Sequence, residues 1–229
     1  AAILFRWGVE TLIPRKEWRR KAAEQLKQKQ KQTMFSQKPD LSLKQHPREK
    51  KLSDFRGRLY LAPLTTVGNL PFRRVCKLLG ADVTCGEMAM CTNLLQGQAS
   101  EWALLRRHSL EDLFGVQICG SYPDTVARTV ELIEQECTVD FIDINMGCPI
   151  DIIINKGAGS ALLSKPMRMG NIIRAASGTV DTPITVKVRT GFYEGRNRID
   201  SLITDIGHWG ATAVTIHWSN TAAALQQAC

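Results

Sequence analysis

An α/β fold with a parallel sheet is predicted for the region that begins near residue 53, on two observations. Short apolar runs alternate with segments of helical periodicity, which is typical of βα units. The runs are apolar throughout, so we expect strands buried on both faces with helices outside them. The predicted strands are 59–62, 82–84, 115–118, 141–145, 184–188 and 213–217, and the predicted helices are 71–79, 100–107, 123–136, 167–177 and 199–208.

Six such units make up most of a TIM (β/α)8 barrel, which is the predicted architecture in an incomplete form. A complete barrel needs roughly 200 to 250 residues, more than residues 53–217 provide. A doubly wound sheet would place a glycine-rich turn after its first strand, whereas this strand is followed by Ala62-Pro63-Leu64. Gly157-Ala158-Gly159 is only a weak phosphate-loop signal, because it does not complete a G-x-G-x-x-G pattern.

The first 52 residues differ sharply from the rest in charge. They carry 14 Lys and Arg against 5 Asp and Glu, whereas the remaining residues carry 16 against 17. Residues 14–31 predict a marginal, solvated helix and residues 33–51 a linker. A basic arm suits a polyanionic partner such as RNA; the alternative is a solvated linker that binds nothing in particular. The predicted organisation is an arm (1–52), part of a barrel (53–217) and a divergent tail (218–229).

The seven cysteines show neither a C-x-x-C pair nor a histidine at zinc spacing, so we expect no metal site. They are typical of reduced thiols in a cytoplasmic or nuclear protein. There is no secretory leader, and no apolar run reaches the roughly 18 residues that a membrane span needs. We expect a monomer without membrane association, and a first residue other than Met suggests that the sequence begins inside a longer protein.

The stretch most informative about function is the apolar run that ends in Gly147-Cys148-Pro149. It predicts a buried strand whose carboxyl end delivers a thiol into a tight turn, where parallel α/β proteins carry catalytic side chains. The glycine allows close backbone approach and the proline stiffens the turn, so the Asn145 amide and the Cys148 thiol can converge on one ligand. The alternative is an inert, buried structural thiol.

Other polar side chains also interrupt the ends of apolar strands: Gln117, Asn145, Lys187 and His217. Each costs desolvation unless it finds a partner, and a shared ligand in the barrel mouth would supply one. The alternatives are a Lys187 side chain that extends to the surface and a His217 ring that bonds a backbone group in the core.

Two motifs give the chain a resemblance to a known family. Asp143-Ile144-Asn145-Met146-Gly147-Cys148-Pro149 with Lys156-Gly157-Ala158-Gly159-Ser160-Ala161 resembles the signature of tRNA-dihydrouridine synthases, flavoenzymes built on a TIM barrel. Residues 61–73 and 85–97 most resemble the branch called dihydrouridine synthase 3. The resemblance covers residues 59–217 and implies FMN-dependent reduction of the C5=C6 bond of uridine in tRNA, with NADPH as reductant.

The resemblance also implies which residues bind the cofactor: Pro63, Leu64, Thr65, Gln117, Lys187 and His217. The segment after the first strand would meet FMN through its backbone, Gln117 would hydrogen-bond the flavin ring, and His217 would reach the flavin or its phosphate. An ammonium group of Lys187 near the pyrimidine edge would favour the reduced, anionic flavin.

Cys148 corresponds to the general acid of the family, with Asn145 and Arg189 as substrate-binding residues. Reduction of uracil needs hydride at C6 and a proton at C5, and cysteine thiols are mostly protonated at neutral pH. The target base should leave its stack to reach the pocket. Alone, Arg189 and Arg73 would contact RNA phosphate or, more commonly, pair with local carboxylates.

After His217 the resemblance stops, because the family continues with Gly-Arg and this sequence has Trp218-Ser219-Asn220. The family's last strands and its C-terminal tRNA-binding domain are missing, so we expect a truncated form with poor flavin retention. Two other functions stay open. One is a flavin-dependent TIM barrel that acts on a free pyrimidine, and the other is a non-catalytic RNA-binding fragment that works through its basic arm.

Overall fold

The computed structural model describes residues 53–191 and 199–220, and in them six strands form one parallel sheet. Each strand pairs with the next one along the chain, in the order β1-β2-β3-β4-β5-β6. A doubly wound sheet would reverse direction at a switch point, so this order confirms an incomplete TIM barrel. The strands are β1 (Tyr60–Leu61), β2 (Val83–Met90), β3 (Leu113–Cys119), β4 (Phe141–Met146), β5 (Ile184–Gly191) and β6 (Ala213–Asn220).

Helices connect successive strands and cover the outer face of the sheet. They are α1 (Leu70–Leu78), α2 (Cys91–Leu95), α3 (Ala99–Ala103), α4 (Pro123–Glu136), α5 (Asp151–Asn155), α6 (Pro166–Thr179) and α7 (Ile199–His208), with a 3-10 helix at Gly159–Ser164. None of the helices in the described ranges is both long and apolar enough to cross a membrane. Proline opens both α4 and α6, where its missing N–H costs nothing because the first helical amides have no intrahelical partner.

The main core lies between the sheet and these helices. Alternate side chains of the strands point outward, and those of β4, Ile142 and Ile144, are fully buried. They belong to one apolar cluster with Val130 of α4 and Ile172 of α6. Each such side chain contributes about 1.5–3 kcal/mol when it leaves water, so this layer supplies most of the stability.

The inner face of the sheet is aromatic at the amino ends of the strands. The Phe141 ring meets the edges of Phe55 and Tyr60 at centroid distances of 5.3 and 6.1 Å. Gly115 on the neighbouring strand leaves room for it, since a Cβ there would lie 2.2 Å from a Phe141 ring carbon. These rings fill the inner face at the amino ends of β1 and β4.

A buried ion pair joins α1 to the segment before β3. Arg73 Nε lies 2.8 Å from Glu111 Oε1, and both side chains are almost completely buried. Arg73 also donates to the carbonyl oxygens of Gly68 at 3.1 Å and Arg106 at 2.6 Å. The prediction that Arg73 pairs with a local carboxylate is therefore confirmed.

The helix predicted over 100–107 is wrong in its bounds, because α3 ends at Ala103. The chain turns there so that the Arg106 carbonyl can accept from Arg73, and Arg107 then donates to the carbonyl oxygens of Glu111 and Asp112 at 2.7 and 2.8 Å. These side-chain bonds replace helical ones. The bounds predicted for α4 and α7 are confirmed, and the helix predicted at 14–31 lies outside the described residues.

Strand β2 continues well past its predicted end, to Met90. Its pairing with β3 shifts register between Cys85 and Met88, which marks a bulge. Gly86 in this bulge is buried, and a Cβ there would lie 2.7 Å from the Leu104 carbonyl oxygen. In the sequence, Gly86 and Glu87 interrupt an apolar run and so indicate the end of a strand, but in the structure β2 continues beyond them.

Candidate active site

Strands β3, β4 and β5 carry polar side chains on the inner face in matching rows, which run from the middle of β3 and β4 toward the carboxyl ends. Gln117, Asp143 and Thr185 lie opposite one another, and Asn145 lies opposite Lys187. The next row pairs Arg189 with His217 of β6. Because alternate residues of a strand share one face, the register places these groups together at the barrel mouth.

A continuous row of hydrogen bonds crosses the three strands. Thr185 Oγ1 donates to Asp143 Oδ1 at 2.7 Å, and Gln117 Nε2 donates to Asp143 Oδ2 at 2.7 Å. Asn145 Nδ2 in turn donates to Gln117 Oε1 at 3.0 Å. All four side chains are buried, so the bonds offset the desolvation of their polar groups and hold them rigid.

The row ends in the turn that carries Cys148. Asn145 Oδ1 accepts the backbone N–H groups of Gly147 at 3.1 Å and Cys148 at 2.9 Å. Its oxygen is thereby fully used, and one N–H of its amide is left for a ligand. Arg189 Nε donates to the Gly147 carbonyl at 2.7 Å, and the Ser160 N–H donates to the Cys148 carbonyl at 3.0 Å. The turn is held from three sides.

Cys148 itself is 8% exposed, at the boundary between this polar row and a small apolar cluster. The cluster contains Cys119, Ile153 and Ala158. Gly159 keeps a left-handed φ of +58° beside it, and a Cβ there would lie 2.6 Å from the Cys148 carbonyl oxygen. The thiol is thus largely shielded from water while it borders groups that can bind a polar ligand.

Burial dominates the electrostatics of the site. It raises the pKa of Asp143 to about 6, although the bonds from Gln117 and Thr185 and the nearby Lys187 ammonium all favour the carboxylate. Burial likewise lowers the pKa of Lys187, against the attraction of Asp143. The pKa of His217 is lowered by burial and by the positive charges of Arg189 and Lys187. A neutral imidazole beside two cations makes this mouth receptive to an anion.

Comparison with known proteins identifies the family. The family model described as "Dihydrouridine synthase (Dus)" matches residues 60–227. The chain belongs to the dihydrouridine synthase family. It is 82% identical over 179 residues to "tRNA-dihydrouridine(47) synthase [NAD(P)(+)]-like" of Arabidopsis thaliana, a match that covers 78% of this chain and 26% of that protein. The protein of the same name from Homo sapiens is 56% identical over 171 residues, with 75% and 26% covered. The chain thus spans about a quarter of the length of these curated relatives.

The structure brings together six of the nine residues that the resemblance to dihydrouridine synthases implied: Gln117, Asn145, Cys148, Lys187, Arg189 and His217. Arg189 donates to a backbone carbonyl and forms no ion pair with a carboxylate among the described residues, so the expected carboxylate pair stays a prediction. The Gly147 carbonyl oxygen, at the end of β4, lies within hydrogen-bond distance of the Arg189 guanidinium on the neighbouring strand β5.

Pro63, Leu64 and Thr65 lie in the loop between β1 and α1, at the same end of the sheet as the other members of the predicted dihydrouridine synthase site. Leu64 and Thr65 are exposed. The next residue, Thr66, has a left-handed φ of 67°, which is strained for a β-branched side chain. Such strain costs on the order of 1–3 kcal/mol, and it is typical of segments that bind ligands.

Asp143 and Thr185 belong to the same row of the site, but the sequence-based prediction gave neither a role. Of the two, Asp143 was easier to recognise from the sequence, because a carboxylate in the middle of a buried β-branched run needs a specific partner. Thr185 gave no signal, since threonine is common in strands for reasons of shape alone.

Between pH 4 and pH 7 the protein is expected to lose roughly 2–2.5 kcal/mol of stability relative to the variant Asp143→Asn. The pKa of Asp143 is raised from 3.8 to about 6 in the folded state, so the folded protein holds this proton more tightly. That contribution is complete below pH 4 and disappears as the pH rises through 6. Burial also raises the pKa values of Tyr60 and Cys85, which therefore stay neutral throughout.

Urea unfolding at several pH values measures this difference. Asp124→Asn is the matched control, because Asp124 is an exposed carboxylate whose side chain retains 75% of its accessible surface. A stability difference between the protein and Asp143→Asn that stays constant from pH 4 to pH 7 would contradict the prediction.

Proposed function

We propose that this chain carries most of the active site of an FMN- and NADPH-dependent tRNA-dihydrouridine synthase, which reduces the C5=C6 bond of uridine in tRNA. Membership of the dihydrouridine synthase family and the names of the relatives support this proposal. The observation that carries it is the shielded Cys148 in the barrel mouth, whose backbone N–H the Asn145 amide accepts at the end of a buried polar row.

The groups around the row fit a flavin. Gln117 and Asn145 each have one amide N–H left over from the row, and Lys187 adds an ammonium. Arg189 Nη1 is buried and has no hydrogen-bond partner among the described residues. Of these donors and cations, Gln117 and Lys187 match the acceptor atoms on the pyrimidine edge of the isoalloxazine ring, and the others remain for the substrate. We propose that Gln117 and Lys187 hold that edge.

The remaining predicted contacts to the cofactor come from the surrounding segments. The backbone of Pro63, Leu64 and Thr65 would flank the ring from the loop after β1, and His217 would meet the ring or the phosphate from β6. The positive charges of Lys187 and Arg189 that lower the pKa of His217 also favour an anion at this position.

In the reaction we propose, Cys148 donates its thiol proton to C5 of uracil. Reduced FMN, when bound, supplies the hydride that C6 receives. Asn145 would orient the base through its free N–H, and Arg189 would contact the substrate with its unpartnered Nη1. The apolar cluster around Cys148 keeps water away from the thiol, which lets proton transfer go to the substrate.

We also propose tRNA as the partner of this chain, with the basic residues 1–52 adding sequence-independent affinity for its phosphates. A monomer in the cytoplasm or nucleus is proposed on the grounds given by the sequence. Other RNAs with an accessible uridine would meet the same chemistry.

The test is an assay of purified protein with FMN, NADPH and an unmodified tRNA transcript, in which dihydrouridine is measured by mass spectrometry of the released nucleosides. We expect dihydrouridine to appear in tRNA and no reduction of free uracil or orotate. Reduction of the free pyrimidines but not of tRNA would favour a different flavin enzyme. Binding of tRNA that needs residues 1–52, without any reduction, would favour the non-catalytic fragment.

A further inference from the structure

We propose that Asp143 is a positioning residue, whose carboxylate sets the direction of the hydrogen-bonded row and thereby decides which groups Gln117 and Asn145 present to a ligand. The inference rests on the function proposed above. It gives a role to a buried carboxylate that the strand pattern leaves unexplained.

The direction of the row follows from the charge at position 143. An ionised carboxylate accepts hydrogen bonds and cannot donate them. Asp143 Oδ2 accepts from Gln117 Nε2 at 2.7 Å, so the Gln117 amide must turn its nitrogen toward β4. Its Oε1 is then left facing Asn145, whose Nδ2 donates to it at 3.0 Å. Every bond from Asp143 to Asn145 therefore has one possible sense.

If the hydrogen bonds of the row ran in the opposite direction, the bond between Gln117 and Asn145 could not form. With a donor at position 143, the Gln117 amide would turn over and place its nitrogen against the nitrogen of Asn145. Asn145 cannot turn over in response, because its Oδ1 already accepts the N–H groups of Gly147 and Cys148 at 3.1 and 2.9 Å. Two donors would face each other, and the turn that carries Cys148 would be disturbed.

The cost of burying Asp143 indicates that its charge serves a purpose. The residue has no exposed surface, and both of its hydrogen bonds come from neutral groups, those of Gln117 and Thr185. Burial opposes ionisation and raises the pKa of the carboxyl to about 6. An amide or apolar side chain would avoid this cost. The cost is accounted for if the carboxylate, which can only accept, orients the Gln117 amide directly and the Asn145 amide through Gln117.

The consequence for the ligand is a surface of donors. With the row in the observed direction, Gln117 Nε2 and Asn145 Nδ2 each keep one N–H, and the oxygen of Asn145 is already occupied. Such a surface favours ring edges with carbonyl oxygens, which the flavin pyrimidine ring would offer to Gln117 and the uracil base to Asn145.

Two variants of the chain test the direction of the row. In Asp143→Asn the anchor no longer only accepts, because its amide can turn either its oxygen or its nitrogen toward Gln117, and its bond to Gln117 is no longer assisted by charge. We therefore expect FMN, titrated by quenching of its fluorescence, to bind roughly 10-fold or more weakly. The double variant Asp143→Asn/Gln117→Glu keeps one carboxylate and one amide in contact, with the carboxylate now on β3. It can make every bond of the row, so we expect it to fold. The carboxylate that this variant carries on β3 has no N–H for the ligand, so FMN affinity should not recover.

Asp124→Asn, with its exposed carboxylate, is the control and should bind FMN as the unsubstituted protein does. Thermal unfolding verifies that each variant is folded at the temperature of the titration. If Asp143→Asn binds FMN within about twofold of the unsubstituted protein, or if the double variant recovers its affinity, the direction of the row is immaterial and the inference is overturned.

A second measurement separates this inference from the proposed function. In protein without flavin, NMR should show the Gln117 side-chain amide protected from exchange, and Asp143→Asn should remove that protection. Protection that depends on Asp143, in a protein that binds no FMN, would support the row and overturn the proposed function. If the protein binds FMN but the exchange protection of the Gln117 side-chain amide is the same in Asp143→Asn, the positioning role is overturned.

Discussion

Replacing Cys148 by alanine is expected to lower the rate of dihydrouridine formation by about 10²- to 10⁴-fold, the usual contribution of a positioned general acid. Cys148 is 8% exposed, and its backbone N–H donates to Asn145 Oδ1 at 2.9 Å. Removing the sulfur leaves the turn intact, since Cys148 takes part in the turn's bonds through its backbone, and leaves C5 of uracil without the proposed proton donor. Single-turnover reduction of tRNA, followed by mass spectrometry, measures the effect.

The companion measurements separate proton donation from folding and cofactor binding. We expect the Cys148→Ala variant to bind FMN as before, because the cofactor contacts we propose lie on Gln117 and Lys187. Cys76→Ala is the control for loss of a thiol, since Cys76 is partly exposed on α1, outside the polar row. Uridine reduction by Cys148→Ala at the normal rate would remove the basis of the proposed mechanism.

Replacing Arg73 by methionine is expected to lower the free energy of unfolding by about 3–5 kcal/mol, because it leaves Glu111 buried without its countercharge. Glu111 would keep its bonds from Thr84 Oγ1 at 2.7 Å and the His108 N–H at 2.8 Å, but these neutral donors do not balance its charge. The carbonyls of Gly68 and Arg106 would also lose their donor. Urea denaturation measures the loss.

Arg128→Met is the matched control for the Arg73 variant. Arg128 pairs with Asp124 at 3.1 Å, but both side chains are more than half exposed, so its loss should cost less than about 0.5 kcal/mol. In the double variant Arg73→Met/Glu111→Leu the unpaired charge is gone, and we expect much of the stability to return. Equal losses for Arg73→Met and Arg128→Met would show that burial of this pair has no energetic consequence.

The sequence was sufficient to predict where most strands lie, because burial on both faces makes each strand a continuous apolar run. It was also sufficient for α4 and α7, which are ten residues or longer and have a clear apolar face. The prediction from sequence failed where hydrogen bonds from side chains determine the backbone conformation. The end of α3 depends on the bond from Arg73 to the Arg106 carbonyl, which joins residues 33 apart in sequence.

The candidate site was predictable in its parts rather than in its connections. A polar residue at the end of an apolar strand is visible in the sequence, and so is a thiol between glycine and proline. The bonds that run from Thr185 through Asp143 and Gln117 to Asn145 depend on the register of three strands. Register follows from pairing in three dimensions, so the row and the role of Asp143 required the structure.

The order of the strands in the sheet bears on how this molecule folds during synthesis. Each strand pairs with its immediate predecessor in the chain, so none has to wait for a distant partner to leave the ribosome. Short connections between partners keep the entropy of closing them small and similar for every addition. The sheet can therefore grow one strand at a time as translation proceeds, and the row from Thr185 to Asn145 can be completed only after β5 has emerged.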